Sequence, residues 1–566
     1  MTSAGRIGRH LILGSRTGAL AAYNPEKCDE PICTWLPAVA GDAFTSILYI
    51  PKSFDNTNPD HFLTTSRDRM YSVFSLGDSI RMVHQGAPPF GPMIETAWFS
   101  GTDLILYGFK SKNFIVWNET QQYEISSVEC GGAHRSYAYS PIARSDGAGY
   151  FVYTKASKLY LHSQTRPSHQ IIKFGGHGRE IKACAVSPDG LIATGAEDTA
   201  IRIWRYQDGK SPLKNQFNCL ALVQKHTTGI QHLQWHGSSY LFSSGGNEEF
   251  FIWAVESISG FGIGFVCEES CPDQSKEQDL RIMTFDVSSL SVLNRPEMLL
   301  ITLAYSDSTI RCYTYSKAEK FCLVARGQYT SSCLTQLRHL KIGQELFFLT
   351  ACTDGHVTLW KIALPLGSET NGGLDRGSSN PKGLYETANP RTQDSTVSVS
   401  KENISCQESS EAVELAMVSN HKLHQSSIKS LDIAIKDNRT IVATGGDDNA
   451  LGVMIYQTYD LSRKPKSIMV RSAHAAAVTG LSFVSDLAGE KSEEMRIVTS
   501  SNDQRVKEWA LCITSDQVSD IVDMRKVGDA FTSVADVGDV DTLSSNGQSK
   551  KVLILGNGME VYEVSV

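Results

Sequence analysis

One unit recurs along this chain and governs what it can fold into. A β-rich run leads into a short polar turn, and a second β-rich run ends in an aromatic residue. The best copies are Ile192-Ala-Thr-Gly-Ala-Glu-Asp198-Thr-Ala-Ile-Arg-Ile-Trp204, Leu349-Thr-Ala-Cys-Thr-Asp354-Gly-His-Val-Thr-Leu-Trp360 and Val498-Thr-Ser-Ser-Asn-Asp503-Gln-Arg-Val-Lys-Glu-Trp509. In each, Asp precedes Trp by six positions. Asn247/Trp253, Asp307/Tyr313 and Asp68/Phe74 keep that spacing with softer chemistry, and weaker copies end at Tyr23, Trp117, Leu161, Met454 and Tyr562. Eleven units result, with steps of 43 to 60 residues between their ends and one step of 94. Each unit pairs two strands across a turn that needs Gly, Asp or Asn, because its backbone visits unusual dihedrals. A single four-stranded sheet buries neither face by itself, so neighbours must stack.

A histidine stands ahead of several units at similar distance. His177 precedes Asp198, His226 precedes Asn247, His424 precedes Asp448 and His474 precedes Asp503. The first sits in Gly176-His177, the usual opening of a WD repeat, so the units resemble the WD40 family. The fold class expected is therefore all-β, built of WD40 β-propellers. The resemblance implies a buried hydrogen-bonded set of His, Ser/Thr, Asp and Trp within the better blades. The structural positions are His177, Asp198, Trp204, His226, Trp253, Asp354, Trp360, His474, Asp503 and Trp509. Metal ligation or general-base work by these histidines is the competing reading. Their recurrence with the blade, and not with one another, favours structure.

Propellers typically have about four to eight blades, so eleven units divide best as four followed by seven. The last unit ends in a third strand, Met559–Val566, and Gln170-Ile-Ile-Lys-Phe174 is placed to supply its outer strand. Residues 166–566 are thus expected to form one seven-bladed ring, and 1–165 about four blades of another. The chain opens at Leu11-Ile-Leu-Gly14, which reads as the second strand of a blade lacking its first. The expectation is the C-terminal part of a longer protein. The step of 94 is explained by 365–415, rich in Ser, Asn, Thr, Gly and Glu, with 8 acidic and 4 basic residues, expected to be a disordered insertion. Asp273–Asp279 reads as a smaller loop of that kind.

Composition removes whole classes of function. With 53 basic and 61 acidic residues the net charge is −8, which rules out a broadly basic nucleic-acid coat but not a local patch. No run of 18 apolar residues and no secretory leader is present, so no membrane role is expected. Thirteen scattered cysteines read as reduced thiols of a cytosolic or nuclear protein.

Catalytic motifs fare badly. Gly260-Phe-Gly262-Ile-Gly264 follows a strand, but Pro272 arrives before a helix can form, so a dinucleotide-type site fails and a blade-to-blade connection is expected. Cys267-x3-Cys271 has no second pair at zinc spacing, and no triad or phosphate loop is present. No cofactor and no metal are expected. Gly-Asp-Ala-Phe-Thr-Ser occurs at 41–46 and again at 528–533, each time ahead of a strand, as duplication would leave it. Two strings are charged and loop-like: Gly131-Gly-Ala-His134-Arg135-Ser136 and Gly175-Gly-His177-Gly-Arg179-Glu180. One reading places His177 in its blade and pairs Arg179 with Glu180 or solvent. The other makes His134, Arg135, Arg179 and Glu180 contacts for a partner or for RNA, where a guanidinium fork grips phosphate or carboxylate.

These strings, with Phe151-Val-Tyr-Thr-Lys155 and Ala193-Thr-Gly-Ala-Glu-Asp198, resemble the WD repeat-containing protein 6 family, over that family's C-terminal half. The resemblance implies a non-catalytic accessory subunit. Its partner would be a Rossmann-fold, S-adenosylmethionine-dependent tRNA 2′-O-methyltransferase, and the complex would methylate the wobble ribose of the anticodon loop. It also implies contact with tRNA through that complex, a cytoplasmic location and no cofactor in this chain. Up to residue 165 the chain has 14 basic and 14 acidic residues, and from residue 166 onward 39 and 47, so an RNA-facing surface is expected early, around Arg135 and Arg144. The alternative is a general interaction scaffold, such as a ubiquitin-ligase substrate receptor or a trafficking subunit.

Overall fold

The computed structural model describes residues 1–27, 29–51, 59–90, 93–142, 149–164, 176–207, 216–275, 279–290, 298–343, 345–363, 412–484, 494–515, 520–543 and 550–564. Among them every regular element is a strand, and the strands form eleven sheets. In chain order these are sheet 1 (residues 3–35), 2 (44–86), 3 (93–129), 4 (137–164), 5 (181–224), 6 (230–270), 7 (282–328), 8 (334–362 with 416–422), 9 (428–470), 10 (478–531) and 11 (535–563). The chain is all-β, and apart from Val413–Glu414, which joins sheet 7 in parallel, the paired strands run antiparallel in the order of the chain, as blades of a propeller require.

The turn explains why Asp recurs six residues before the aromatic. The residue after Asp adopts a left-handed backbone at Arg69, Thr199, Ser308, Gly355, Asn449 and Gln504, with φ between 58° and 84°. In each case the Asp carboxylate accepts the N–H two residues on, from Met70, Ala200, Thr309, His356, Ala450 and Arg505 respectively. This side-chain mimic of a backbone turn reverses the chain in three residues. The aromatic then falls on the buried face of the third strand. Second strands are sandwiched between neighbouring sheets, so Leu191–Ala196 is buried at every position.

Inner strands of sheets 5 to 11 touch in sequence, and that of sheet 11, Ala535–Leu543, touches that of sheet 5, Ile181–Val186. Carboxylates on one inner strand accept amides of the next. His339 N–H donates to Asp286 Oδ2 at 2.6 Å and Phe483 N–H to Asp432 Oδ2 at 2.8 Å. Cys184 N–H donates to Asp539 Oδ2 at 2.9 Å and Val186 N–H to Asp541 Oδ2 at 2.8 Å, across 355 residues of chain. Sheet 11 contains a hairpin inside its last strand, Lys551–Glu563: Val564 N–H reaches Lys550 O at 2.9 Å, so the strand doubles back.

Sheets 1 to 4 form a second row, in which inner strands of sheets 1, 2 and 3 touch in order. Sheet 4 joins through aromatic packing, with Phe114 stacked on Phe151 at 3.9 Å between centroids. Sheet 1 does possess an inner strand, Ser3–Ile7, paired with His10–Gly14 through Gly8 at φ 56°. The blade expected to open at Leu11 without its first strand thus has one, and it shows no apolar period because only Ile7 of Ser3–Ile7 is buried. The insertion expected over 365–415 ends earlier: Val413–Glu414 pair parallel to sheet 7, and Leu415 is buried beside them. Residues 364–411, Gln170–Phe174 and Arg144 lie outside the described residues.

The two rows meet where the glycine motif lies. Gly260–Gly264 is not a connection between blades but the turn between the third strand of sheet 6, Phe250–Ile258, and its outer strand, Gly262–Ser270. A Cβ on Gly260 would strike the Pro51 carbonyl, and one on Gly264 the Val83 carbonyl. Phe265 N–H donates to His84 Nδ1 at 3.2 Å, and Arg81 pairs with Glu256 at 2.7 Å. His84 Nε2 lies 3.1 Å from Tyr71 Oη, which donates to Glu119 Oε1 at 3.0 Å. Ile50, Val83 and Phe90 of the first row share a core with Ile258, against which Phe261 packs. The glycines let two backbones approach, which is one of the uses of a residue without Cβ.

Candidate functional site

Several of the positions the sequence singled out lie in polar sets within sheets 5, 6, 8, 9 and 10. In sheet 5, His177 Nδ1 lies 3.0 Å from Asp198 Oδ1 and His177 Nε2 lies 2.8 Å from Thr194 Oγ1. Trp204 Nε1–H donates to the same hydroxyl at 2.7 Å. One assignment satisfies every atom: Trp N–H to Thr oxygen, Thr O–H to His Nε2, His Nδ1–H to Asp. Sheet 10 repeats it with His474, Asp503, Thr499 and Trp509, at 3.1 Å, 2.9 Å and 2.9 Å. Sheet 9 holds His424, Asp448 and Thr444 without the Trp, at 2.8 Å and 2.9 Å.

Burial pushes the carboxyls of Asp198, Asp448 and Asp503 up, but the histidine's hydrogen bond and neighbouring backbone N–H groups hold them below the ordinary range. Burial also holds His474 below the usual imidazole range, despite Asp503. In each set the histidine side chain is buried, and both of its ring nitrogens are engaged within its own sheet.

Two sheets depart from the expected set. In sheet 6 the acid facing His226 is not Asn247 but Glu249, at 2.9 Å, with Ser243 bridging His226 and Trp253 at 2.7 Å and 2.8 Å. The turn there has consecutive left-handed residues, Asn247 and Glu248. The turn is as long as that of sheet 5, because Ser243 and Trp253 stand ten apart as Thr194 and Trp204 do; Asn247 occupies the place of Asp198, and the acid comes from Glu249, in the place of Ala200. In sheet 8, Tyr329 Oη donates to Asp354 Oδ2 at 3.1 Å, where other sheets use a histidine, while Trp360 still donates to Thr350 at 2.9 Å. Cys352 and the His356 N–H help bring Asp354 down to about 2, against the upward push of burial.

The charged strings separate. Arg135 is half-buried against Gly131, and its Nε has no hydrogen-bond partner among the described residues; His134 is exposed. Arg179 is exposed, and Glu180 pairs with Lys182 at 2.6 Å rather than with Arg179. Gly178 N–H donates to Asp198 at 2.8 Å, which pins the loop below Arg179. No hydrogen bond or ion pair among the described residues links the two strings. The duplicated hexapeptide also diverges: Phe44 is buried on an inner strand, whereas Phe531 is 65% exposed at the end of an outer one. No group of three potential metal-binding side chains occurs among the described residues, and none of their helices is long and apolar enough to cross a membrane.

The repeated His, Thr, Asp and Trp geometry has a counterpart in a family model described as "WD domain, G-beta repeat", which matches residues 168–205. Residues 168–205 thus carry a WD repeat. Over 98 residues it is 37% identical to the tRNA (34-2'-O)-methyltransferase regulator WDR6 of Homo sapiens, covering 17% of this chain and 8% of that protein. The Bos taurus protein of the same name is 31% identical over 145 residues, 24% of this chain and 12% of that one. The shares of the human match make this chain about half as long as that relative. Among solved structures, the WD40 beta propeller domain of Doa1 overlays with a TM-score of 0.41 at 12% identity, over 68% of this chain and 94% of that one.

Proposed function

We propose that this chain is a non-catalytic WD-repeat scaffold that partners a tRNA 2′-O-methyltransferase and positions tRNA for methylation of the wobble ribose. The observation that carries the reading is the 31–37% identity to proteins named as regulators of such an enzyme. The locked character of the polar sets agrees with it, because each His and Asp in them is spent on its own blade. The partner would be Rossmann-fold and would hold S-adenosylmethionine; the chain itself would carry no cofactor and act in the cytoplasm. Rigid placement of a tRNA body relative to a reacting ribose is a chemical contribution in its own right, since orientation supplies much of many rate enhancements.

In this reading residues 166–566 form a seven-bladed ring and 1–165 a partial one. Support comes from the contacts that join sheet 11 to sheet 5. His134, Arg135, Arg179 and Glu180 are offered as contacts for RNA or enzyme. The test is affinity capture of the full chain followed by identification of its partners. A tRNA ribose methyltransferase in the eluate supports the reading. Ligase or coat components in its place support a general scaffold. Reversing charge at Arg135 and Arg179 should lower wobble-ribose methylation at unchanged protein level; unchanged methylation removes those contacts.

A further inference from the structure

In each four-stranded sheet the turn between second and third strands lies at the same end as the connection to the next sheet. Those turns carry opposite charge in the two rows. In sheets 1 to 4 the turns and their flanking residues hold Arg16, then Arg67 and Arg69, then Lys110 and Lys112, then Lys155 and Lys158, against the single acid Asp68. In sheets 5 to 10 the same positions hold Glu197, Asp198, Glu248, Glu249, Asp307, Asp354, Asp447, Asp448 and Asp503, against the single base Arg505.

The basic turns are stitched together. Gly41 N–H bonds Thr17 O at 3.1 Å, and Arg67 N–H bonds Ala43 O at 3.2 Å, joining turns 1 and 2 through the loop between them. Gly131 N–H bonds Lys112 O at 2.9 Å, and Thr154 N–H bonds Ser136 O at 3.0 Å, joining turns 3 and 4 through the loop that carries Arg135. Arg16, Arg67, Arg69, Lys110, Lys112 and Lys158 are exposed. No ion pair among the described residues engages any of them, and Asp68, itself exposed, accepts from Ser66 and the Met70 N–H through Oδ1. Counting Arg135, eight of the 14 cations before residue 166 lie on this strip. Asp42, Glu95 and Glu129 stand on its loops or strand ends.

We infer that this strip binds the phosphate backbone of RNA, and that the acidic end of the ring confines the RNA to sheets 1 to 4. A row of cations that outnumbers the acids along it is what a polyanion of regular spacing needs, and release of its counterions drives the association. The inference deepens the proposed function and rests on it for the identity of the RNA, an anticodon-bearing tRNA. It replaces the pair Arg135 and Arg179 by a strip that includes the first and not the second.

The experiment uses the full chain and a fluorescent tRNA, titrated at several salt concentrations. The quadruple variant Arg16→Glu, Arg67→Glu, Lys110→Glu, Lys112→Glu should bind at least about tenfold more weakly at moderate salt. Its salt slope should fall by about 0.7–0.9 for each phosphate no longer neutralised, at an unchanged melting temperature. Lys110→Arg with Lys112→Arg should retain wild-type affinity. Arg463→Glu with Lys464→Glu, exposed cations at the opposite end of sheet 9, should leave binding unchanged. Wild-type affinity in the quadruple variant, a loss in the sheet 9 control alone, or no tRNA binding by the wild type would overturn the strip. Binding of a polyglutamate as tight as that of tRNA would overturn RNA as its ligand. Loss of RNA binding with wobble methylation intact would leave the strip standing and sink the tRNA-positioning role.

Discussion

Single residues in this chain do their work by ending hydrogen-bond chains inside the core. Thr194 is the middle of one such chain, taking the Trp204 N–H and facing His177. Thr194→Val keeps the shape and strands two buried groups, so it should cost about 2–4 kcal/mol, read as a lower denaturant midpoint; a change under about 0.5 kcal/mol would make the chain ornamental. Glu119 offers a test in pH. Burial raises its carboxyl to about 7, against the hydrogen bonds from Trp117, Tyr71 and Gln122. A carboxyl raised on folding binds its proton more tightly when folded, so it takes stability away as pH rises from about 4.5 through 7. Glu119→Gln removes that term. Variant stability minus wild-type stability should climb by up to about 3 kcal/mol between pH 5 and 8, measured by paired chemical denaturation. A flat difference would place Glu119 in water.

At the scale of elements, the turn between the third and outer strands of sheet 6 decides how the two rows sit. Gly264→Val drives a side chain into the Val83 carbonyl, so the seam should open while sheets 5 to 11 keep their fold. Small-angle scattering should then show a larger radius of gyration, and limited proteolysis a new cut between the rows; unchanged scattering would mean the seam holds by other contacts. This element also shows where sequence reading runs out. The glycines are visible in the sequence, but their neighbours Pro51 and Val83 are far away in it, so the motif read only as a connection. The repeat itself was legible because its causes are local: Asp68, Asp198 and Asp503 each cap their own turn two residues on. Glu249 was hidden because Asn247 fills the usual acid position and the acid stands two residues later, in the place of Ala200, and Ser3–Ile7 because a mostly exposed inner strand has no apolar rhythm.

For the whole molecule, closure and charge layout matter most. Asp539 and Asp541 accept amides of sheet 5, and burial pushes their carboxyls up to about 6 and about 7. Asp541→Leu should leave the Val186 amide unpaired and hasten hydrogen exchange over 181–186, while Asp541→Asn, which keeps an acceptor, should not; equal exchange in both would detach closure from these carboxylates. The candidate contacts were legible only in part. Arg135 stands out by its glycines, but the basic strip emerges only when turns from four sheets are aligned in space. The most direct test of the scaffold itself is mass-spectrometric quantification of 2′-O-methylation at the wobble ribose of tRNA from cells lacking this chain. Loss of that modification, restored by re-expressing the chain, is the expected result; full modification in its absence would contradict the proposed role.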